Sequence, residues 1–416
     1  MKILYDICSV KRYIFICIVW WFATTTFVAA NPERKTIHAG EFVREYLIYT
    51  PKHSQHEKAG GIIICLHGFG RTMYDFVDEY DLSGVADSLN MIIVAPQALP
   101  EQDPNLLLNA AIINLLNDNN MSLNSVWGCG LSIHVSTFGV NMFNAELNKD
   151  VDDVDFIDRL IDGILSEYQL PDENIFMLGT SLGGFMTYQY ALKKGNRLSG
   201  IISIAGSMGL SVKGMDSGIQ VPVCDFHSIT DEVVPYSGSL VQFLSLISLA
   251  MPKADVIDYW TKTNSTGKPV AEQIHYYPST NGITVEKITY PDADNEVIHY
   301  KINGASHSYF FKEEEGDCMD HVEEITRFIQ SHTSGRLNHN LNMTSQKLLF
   351  YPNPVQDKIY FDAESGKITL YDIAGQQLFT QSFINGQADL SFLKQGIYFI
   401  QVQSGNTVQV NKLIKK

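Results

Sequence analysis

The chain has 416 residues, 45% hydrophobic and 18% charged, enough apolar material for a large core and for more than one domain. Its net charge of −16 is uneven: residues 31–346 hold 20 basic and 40 acidic side chains, while residues 1–30 and 347–416 are each net +2. Such a composition excludes a disordered, collagen-like or multi-span membrane chain, and an acidic body repels nucleic acid and anionic lipid.

At the N-terminus, Lys11 and Arg12 precede an apolar run over 13–22 that continues to Ala30. Val28-Ala29-Ala30 places small residues where a signal peptidase cuts, so residues 1–30 are expected to be a signal peptide rather than a membrane anchor. No later stretch reads as a span, since the apolar run 240–251 is broken by Gln242, Ser245 and Ser248. Four cysteines remain after cleavage. Cys65 and Cys224 lie in apolar runs and read as buried thiols. Cys129 and Cys318 lie in polar surroundings and are the pair expected to be most able to cross-link, although four cysteines allow three pairings.

From 42 to 330, short apolar runs alternate with helix-period segments. Strands are expected at 42–49, 61–66, 91–95, 174–178, 200–204, 221–226 and 297–302, and helices at 154–168, 182–193 and 318–330. Buried strands alternating with helices predict an α/β fold with a doubly wound, mostly parallel sheet. Two insertions, 98–150 and 265–296, are expected to shape a ligand site beyond the strand ends. A polar linker at 333–346 leads to residues 347–416, where alternating runs broken by glycine turns predict a small all-β sandwich.

The chemistry concentrates after the strand at 174–178, which runs into Gly179-Thr180-Ser181-Leu182-Gly183 and then a helical segment. Strand, Gly-x-Ser-x-Gly and helix together are the setting of a nucleophile elbow. Ser181 then needs a base and an orienting acid later in the chain. Asp231, in the loop after the strand at 221–226, is chosen over Asp225, which lies inside it. His307 follows the strand at 297–302. Upstream, His67-Gly68-Phe69-Gly70 ends another strand, so the backbone N–H groups of Phe69 and Leu182 are the expected oxyanion donors, with His67 as a loop former. No metal-ligand spacing or phosphate loop is present, and no cofactor is expected. Other readings are a serine peptidase of the same fold and a catalytically silent surface binding protein.

Several strings carry a resemblance. Leu66-His67-Gly68-Phe69-Gly70, Val151-Asp152-Asp153-Val154-Asp155, Gly179-Thr180-Ser181-Leu182-Gly183-Gly184, Thr230-Asp231-Glu232-Val233-Val234-Pro235-Tyr236 and the stretch around Tyr259-Trp260 resemble the polyhydroxybutyrate depolymerase/feruloyl esterase family of α/β hydrolases. The resemblance covers roughly 40–330. It implies a secreted carboxylic-ester hydrolase acting on polymer-borne or hydroxyaryl esters, with Ser181, Asp231 and His307 as its triad. Trp127-Gly128-Cys129 stands where that family carries a Trp and a Cys. Ser308-Tyr309-Phe310 follow His307 where the family has Thr-Trp-Pro, which leaves the ester itself open.

In the tail, Tyr351-Pro352-Asn353-Pro354, Gly396-Ile397-Tyr398-Phe399 and the closing Asn411-Lys412-Leu413-Ile414-Lys415-Lys416 resemble the C-terminal sorting domain of the Por (type IX) secretion system. That resemblance implies passage across an outer membrane, by the type IX machinery, to the cell surface or the medium. The expected division is therefore 1–30 signal peptide, 31–332 esterase domain, 333–346 linker and 347–416 sorting domain.

Overall fold

The structure is a computed structural model that describes residues 32–52, 58–75, 82–107, 122–242, 245–248, 250–274, 282–292, 294–307, 319–333, 350–351, 355–361, 363–372, 377–404 and 407–416. The expected signal peptide and all but Thr333 of the expected linker lie outside these residues, as does Cys318.

In chain order the body contains β1 (Glu33–Ala39), β2 (Phe42–Tyr49), β3 (Ile62–Leu66), α1 (Leu82–Leu89), β4 (Ile92–Pro96), β5 (Ser132–Thr137), β6 (Val140–Glu146) and α2 (Asp153–Tyr168). It continues with β7 (Ile175–Thr180), α3 (Leu182–Lys194), β8 (Gly200–Ile204), β9 (Val223–Ser228), β10 (Ser239–Gln242), β11 (Ser245–Ser248) and α4 (Lys253–Thr263). β12 (Val270–Ile274), β13 (Thr284–Tyr290), β14 (Val297–Asn303) and α5 (His321–Ser331) complete it.

A ten-stranded sheet runs β1-β2-β4-β3-β7-β8-β9-β14-β13-β12. The six strands from β4 to β14 are mutually parallel, and two antiparallel strands flank them on each side. Strand alternation divides the core between the two faces. In β3, Ile62, Ile64 and Leu66 point into one cluster and Ile63 and Cys65 into the other. The first cluster takes Phe156, Leu160 and Ile164 of α2 with Leu182 and Phe185 of α3; the second takes Val85 of α1 with Ile325 and Phe328 of α5. Each such side chain contributes about 1.5–3 kcal/mol on burial, so both faces must be covered, and the sheet is doubly wound. α2 and α5 start at aspartate caps, Asp152 accepting from Asp155 N–H and Asp320 from Glu323 N–H, each worth about 1 kcal/mol.

The expected strands and helices all form, two of them (β2 and β8) at the expected residues and the rest displaced by up to three. Both insertions carry strands that the sequence pattern does not announce. In residues 265–296, β12 and β13 extend the main sheet as an antiparallel edge beside β14. In residues 98–150, β5 and β6 form a hairpin that joins β11 and β10 in a separate four-stranded antiparallel sheet, order β10-β11-β5-β6. The reading of Cys129 needs correction. This residue is a free, buried thiol, not a surface cysteine cross-linked to Cys318, because its segment is drawn inward by polar ties described below.

The tail is all-β: β15 (Phe350–Tyr351), β16 (Lys358–Phe361), β17 (Ser365–Tyr371), β18 (Gln377–Ile384), β19 (Gln387–Asp389), β20 (Gly396–Ser404) and β21 (Thr407–Lys415). They form one antiparallel ladder, β15-β16-β19-β18-β17-β20-β21. A bridge from Val355 to Lys415 folds the ladder back on itself over its own core of Ile359, Ile368, Leu370, Ile400, Val402 and Leu413. Among the described residues, no helix is long and apolar enough to cross a membrane.

Candidate active site

β7 ends in a tight turn that depends on the glycines on either side of Ser181. Ser181 has φ +53° and ψ −119°, a conformation L-residues rarely adopt. A Cβ on Gly179 would lie 2.1 Å from Gly183 O, and one on Gly183 would lie 2.0 Å from Leu66 O, so both positions must be glycine. Ser181 N–H donates to Ile204 O of the next strand at 2.8 Å, which wedges the strained residue in place.

Two other strand ends converge on it. His307 follows β14 and places Nε2 3.0 Å from Ser181 Oγ. Asp231 follows β9, and its Oδ2 lies 2.8 Å from His307 Nδ1. The other carboxylate oxygen accepts the N–H groups of Val233 and Val234, each at 2.8 Å. Burial pushes the Asp231 carboxyl up, but the hydrogen bond and charge of His307 outweigh it, and the net direction is below the usual range. The structure thus brings Ser181, His307 and Asp231 into one chain of contacts.

The acid loop also holds the base loop. Ser228 Oγ and Thr230 Oγ1 both donate to Ala305 O, at 2.6 and 2.8 Å, and Glu232 Oε2 accepts His307 N–H at 3.1 Å. Sequence reasoning missed these three. Hydroxyls clustered just after a strand were the available signal.

The loop after β3 lies against the elbow: a Cβ on Gly68 would sit 3.4 Å from Ser181 Cβ. His67 anchors that loop. Its Nε2 accepts Ala98 N–H at 3.1 Å and its Nδ1 faces Gly68 O at 2.8 Å, while burial pushes its pKa down to about 4. His67 is a loop former, as its sequence setting suggests. Phe69 packs its ring against the core. At the start of α3, the N–H groups of Gly184 and Phe185 close on Ser181 O. Leu182 N–H belongs to the open first turn, where a helix favours negative charge.

Trp127 Nε1–H donates to His67 O at 2.9 Å, and Gly128 N–H donates to Asp153 Oδ2 at 2.7 Å. Asp153 is paired in turn with buried Arg44 at 2.7 Å. These bonds draw residues 127–129 inward and account for the buried Cys129. Asp225, by contrast, serves no nucleophile. It is enclosed by Lys253 Nζ at 2.7 Å, His299 Nδ1 at 2.8 Å and Tyr188 OH at 2.8 Å.

The C-terminal part matches a family model directly. Residues 349–416 match the secretion system C-terminal sorting domain. The tail is a sorting domain. That address leads through type IX secretion to the cell surface or extracellular space. Within the body, residues 140–255 match the phospholipase/carboxylesterase model. A probable feruloyl esterase C of Aspergillus niger is 27% identical over 112 residues, which are 27% of this chain and 40% of that protein. The chain therefore spans 40% of the length of that curated relative. Among solved structures, an acetyl xylan esterase from Aspergillus awamori aligns with a TM-score of 0.45 and 12% identity, over 72% of this chain and 99% of that one. An S-formylglutathione hydrolase from Agrobacterium tumefaciens aligns at 0.44 and 11%, over 73% of this chain and 95% of that one. The body is an α/β hydrolase in fold.

Proposed function

We propose that this protein is a serine carboxylic-ester hydrolase, related in activity to polyhydroxybutyrate depolymerases and feruloyl esterases and acting on a free or polymer-borne ester. One observation carries the reading: the unbroken line from Ser181 Oγ through the His307 ring to the buried Asp231 carboxylate, set on a strained elbow. The feruloyl esterase match and the carboxylesterase model support an ester rather than a peptide bond as substrate.

In this reading His307 Nε2 accepts the Ser181 proton as Oγ attacks the ester carbonyl. The N–H groups of Phe69 and Leu182 bind the resulting oxyanion, and losing one such donor costs about 100- to 1000-fold in turnover. His307 then protonates the departing alkoxide, leaving an acyl-Ser181. Water, deprotonated by the same ring, releases the acid and restores the serine. Asp231 holds the ring's orientation and stabilises its charged form. Export would use residues 1–30 as signal peptide and 347–416 as the address read by the type IX machinery, with 31–332 as the esterase domain and 333–346 as linker.

The test is labelling with a fluorophosphonate probe, followed by hydrolysis of aryl, feruloyl, acetyl and hydroxybutyrate esters. The reading expects one label, at Ser181, and no label or turnover in Ser181→Ala. A wild-type chain that takes no label and cleaves no ester would leave the silent binding protein as the better reading.

A further inference from the structure

A second histidine lies directly behind the acid loop. His227 is fully buried on β9, with Nε2 2.8 Å from Val234 O and 3.6 Å from Asp231 Oδ2, and with Nδ1 3.0 Å from Gly206 O. Both ring nitrogens therefore face carbonyl oxygens. Burial and the nearby Lys253 ammonium push the ring's pKa down to about 4, so at neutral pH it carries one proton for two acceptors. Gly206 O already accepts from Lys253 Nζ at 2.6 Å, and Lys253 is itself fixed by Asp225 at 2.7 Å. The ring's proton is needed at Val234.

We infer that His227 is a positioning residue for the Asp231 carboxylate, its Nε2–H tying Val234 O and so closing the loop over residues 228–234. Val234 is then gripped on both sides of its backbone: its N–H donates to Asp231 Oδ1 and its C=O accepts from His227. Asp231 can hold His307 at 2.8 Å only while that loop keeps its shape. The chain of contacts runs from the Lys253–Asp225 pair through Gly206 O and His227 to Val234, and from there to Asp231, His307 and Ser181. The inference rests on the reading of Asp231 as the acid of a serine hydrolase.

Two conservative variants separate the ring's two contacts. A glutamine amide reaches the position of Nε2, and an asparagine amide reaches that of Nδ1. With a soluble aryl acetate, His227→Asn should lower kcat about 30-fold or more with KM within about twofold, because only transition-state alignment is lost. His227→Gln should stay within about fivefold of wild type. In an Asp231→Asn background, His227→Asn should cost less than about twofold more, since no carboxylate is left to place. Equal kcat values for the Asn and Gln variants, or losses that simply multiply in the double variant, would overturn the inference. If the variants do not fold, ¹⁵N NMR of the imidazoles of the intact wild-type chain decides. A proton on Nε2 of His227 supports the inference, and one on Nδ1 alone overturns it. A wild-type chain without turnover or Ser181 labelling overturns the hydrolase reading itself.

Discussion

Glu232 Oε2 accepts the backbone N–H of His307 at 3.1 Å, so the carboxylate next in sequence to Asp231 holds the main chain of the residue whose ring Asp231 holds. Adjacent acids thus fix one histidine at two points, from a single loop after β9. The bond is solvent-exposed, so its worth is about 1 kcal/mol, or roughly fivefold in rate if all of it is lost in the transition state. Glu232→Ala should lower kcat by about that factor without changing Tm, and Glu232→Gln, which keeps an acceptor, should restore most of it. Steady-state kinetics beside thermal unfolding of both variants would check this.

Two aspartates on and after β9 should respond in opposite ways. Asp231→Asn keeps the packing but removes the charge that orients His307, and the expected loss in kcat is about 10⁴-fold with little change in Tm. Asp225→Asn leaves the buried Lys253 ammonium without its carboxylate partner, a change that typically costs about 3–5 kcal/mol. Its signature should be a large fall in Tm, with a loss in kcat per folded molecule far smaller than that of Asp231→Asn, since Asp225 reaches Asp231 only through Lys253, Gly206 O and His227. Equal stability losses in the two variants would contradict the division of labour drawn here.

Stability should also fall on mild acidification. His67, His227 and His321 are buried with pKa values pushed down to about 4, burial being the first cause in each. A histidine in the unfolded chain titrates near about 6.5. Between those values the unfolded state binds more protons, so stability rises with pH and is lost as pH drops from about 6.5 toward 4, by about 3 kcal/mol per group. The carboxyls of Asp225 and Asp231 are shifted downward. Their contribution is present above the unfolded value of about 3.9 and is lost only as pH falls through their lower folded values. Thermal unfolding followed from pH 7 to pH 4 should show Tm declining well before ordinary carboxylates protonate. A flat Tm to pH 4.5 would show that these rings are not held neutral.

What the sequence made legible follows from burial. β3 is apolar throughout, and β8 is apolar but for Ser203, because both faces of the sheet are covered, and such runs stand out without any alignment. The elbow was legible because steric limits at Gly179 and Gly183 leave a fixed spacing around Ser181. β12 was not legible: Val-Ala-Glu-Gln-Ile lies at a sheet edge with four of its five residues exposed, so no hydrophobic pattern is required of it. β5 and β6 were missed because they pair in a separate small sheet and β5 commits few side chains, Ile133 and Val135 among them, to the main core. Cys129 was misread because its neighbours are polar and glycine-rich. Its burial comes from hydrogen bonds of Trp127 and Gly128 to His67 and Asp153, distant in sequence. His227 was passed over because a histidine inside an apolar strand carries no motif; its partners, Gly206 O and Val234 O, are backbone atoms.

The tail should contribute an address and no chemistry. Residues 350–416 bury their own set of side chains, from Phe350 to Leu413, and this core is separate from the two clusters of the body. Their net charge differs in sign from that of the body. A shortened chain of residues 31–332 should therefore fold with a Tm near that of the full chain and hydrolyse a soluble aryl ester with kcat/KM within about twofold, since few contacts are expected across a polar linker. In the native host a chain of residues 1–332, which keeps the expected signal peptide, should stop in the periplasm. Comparing both forms on a soluble ester and on an insoluble polyester separates the roles. Equal activity on both substrates fits a sorting domain, loss on the polymer alone would make the tail a substrate-binding module, and loss on both would make it part of the catalytic fold.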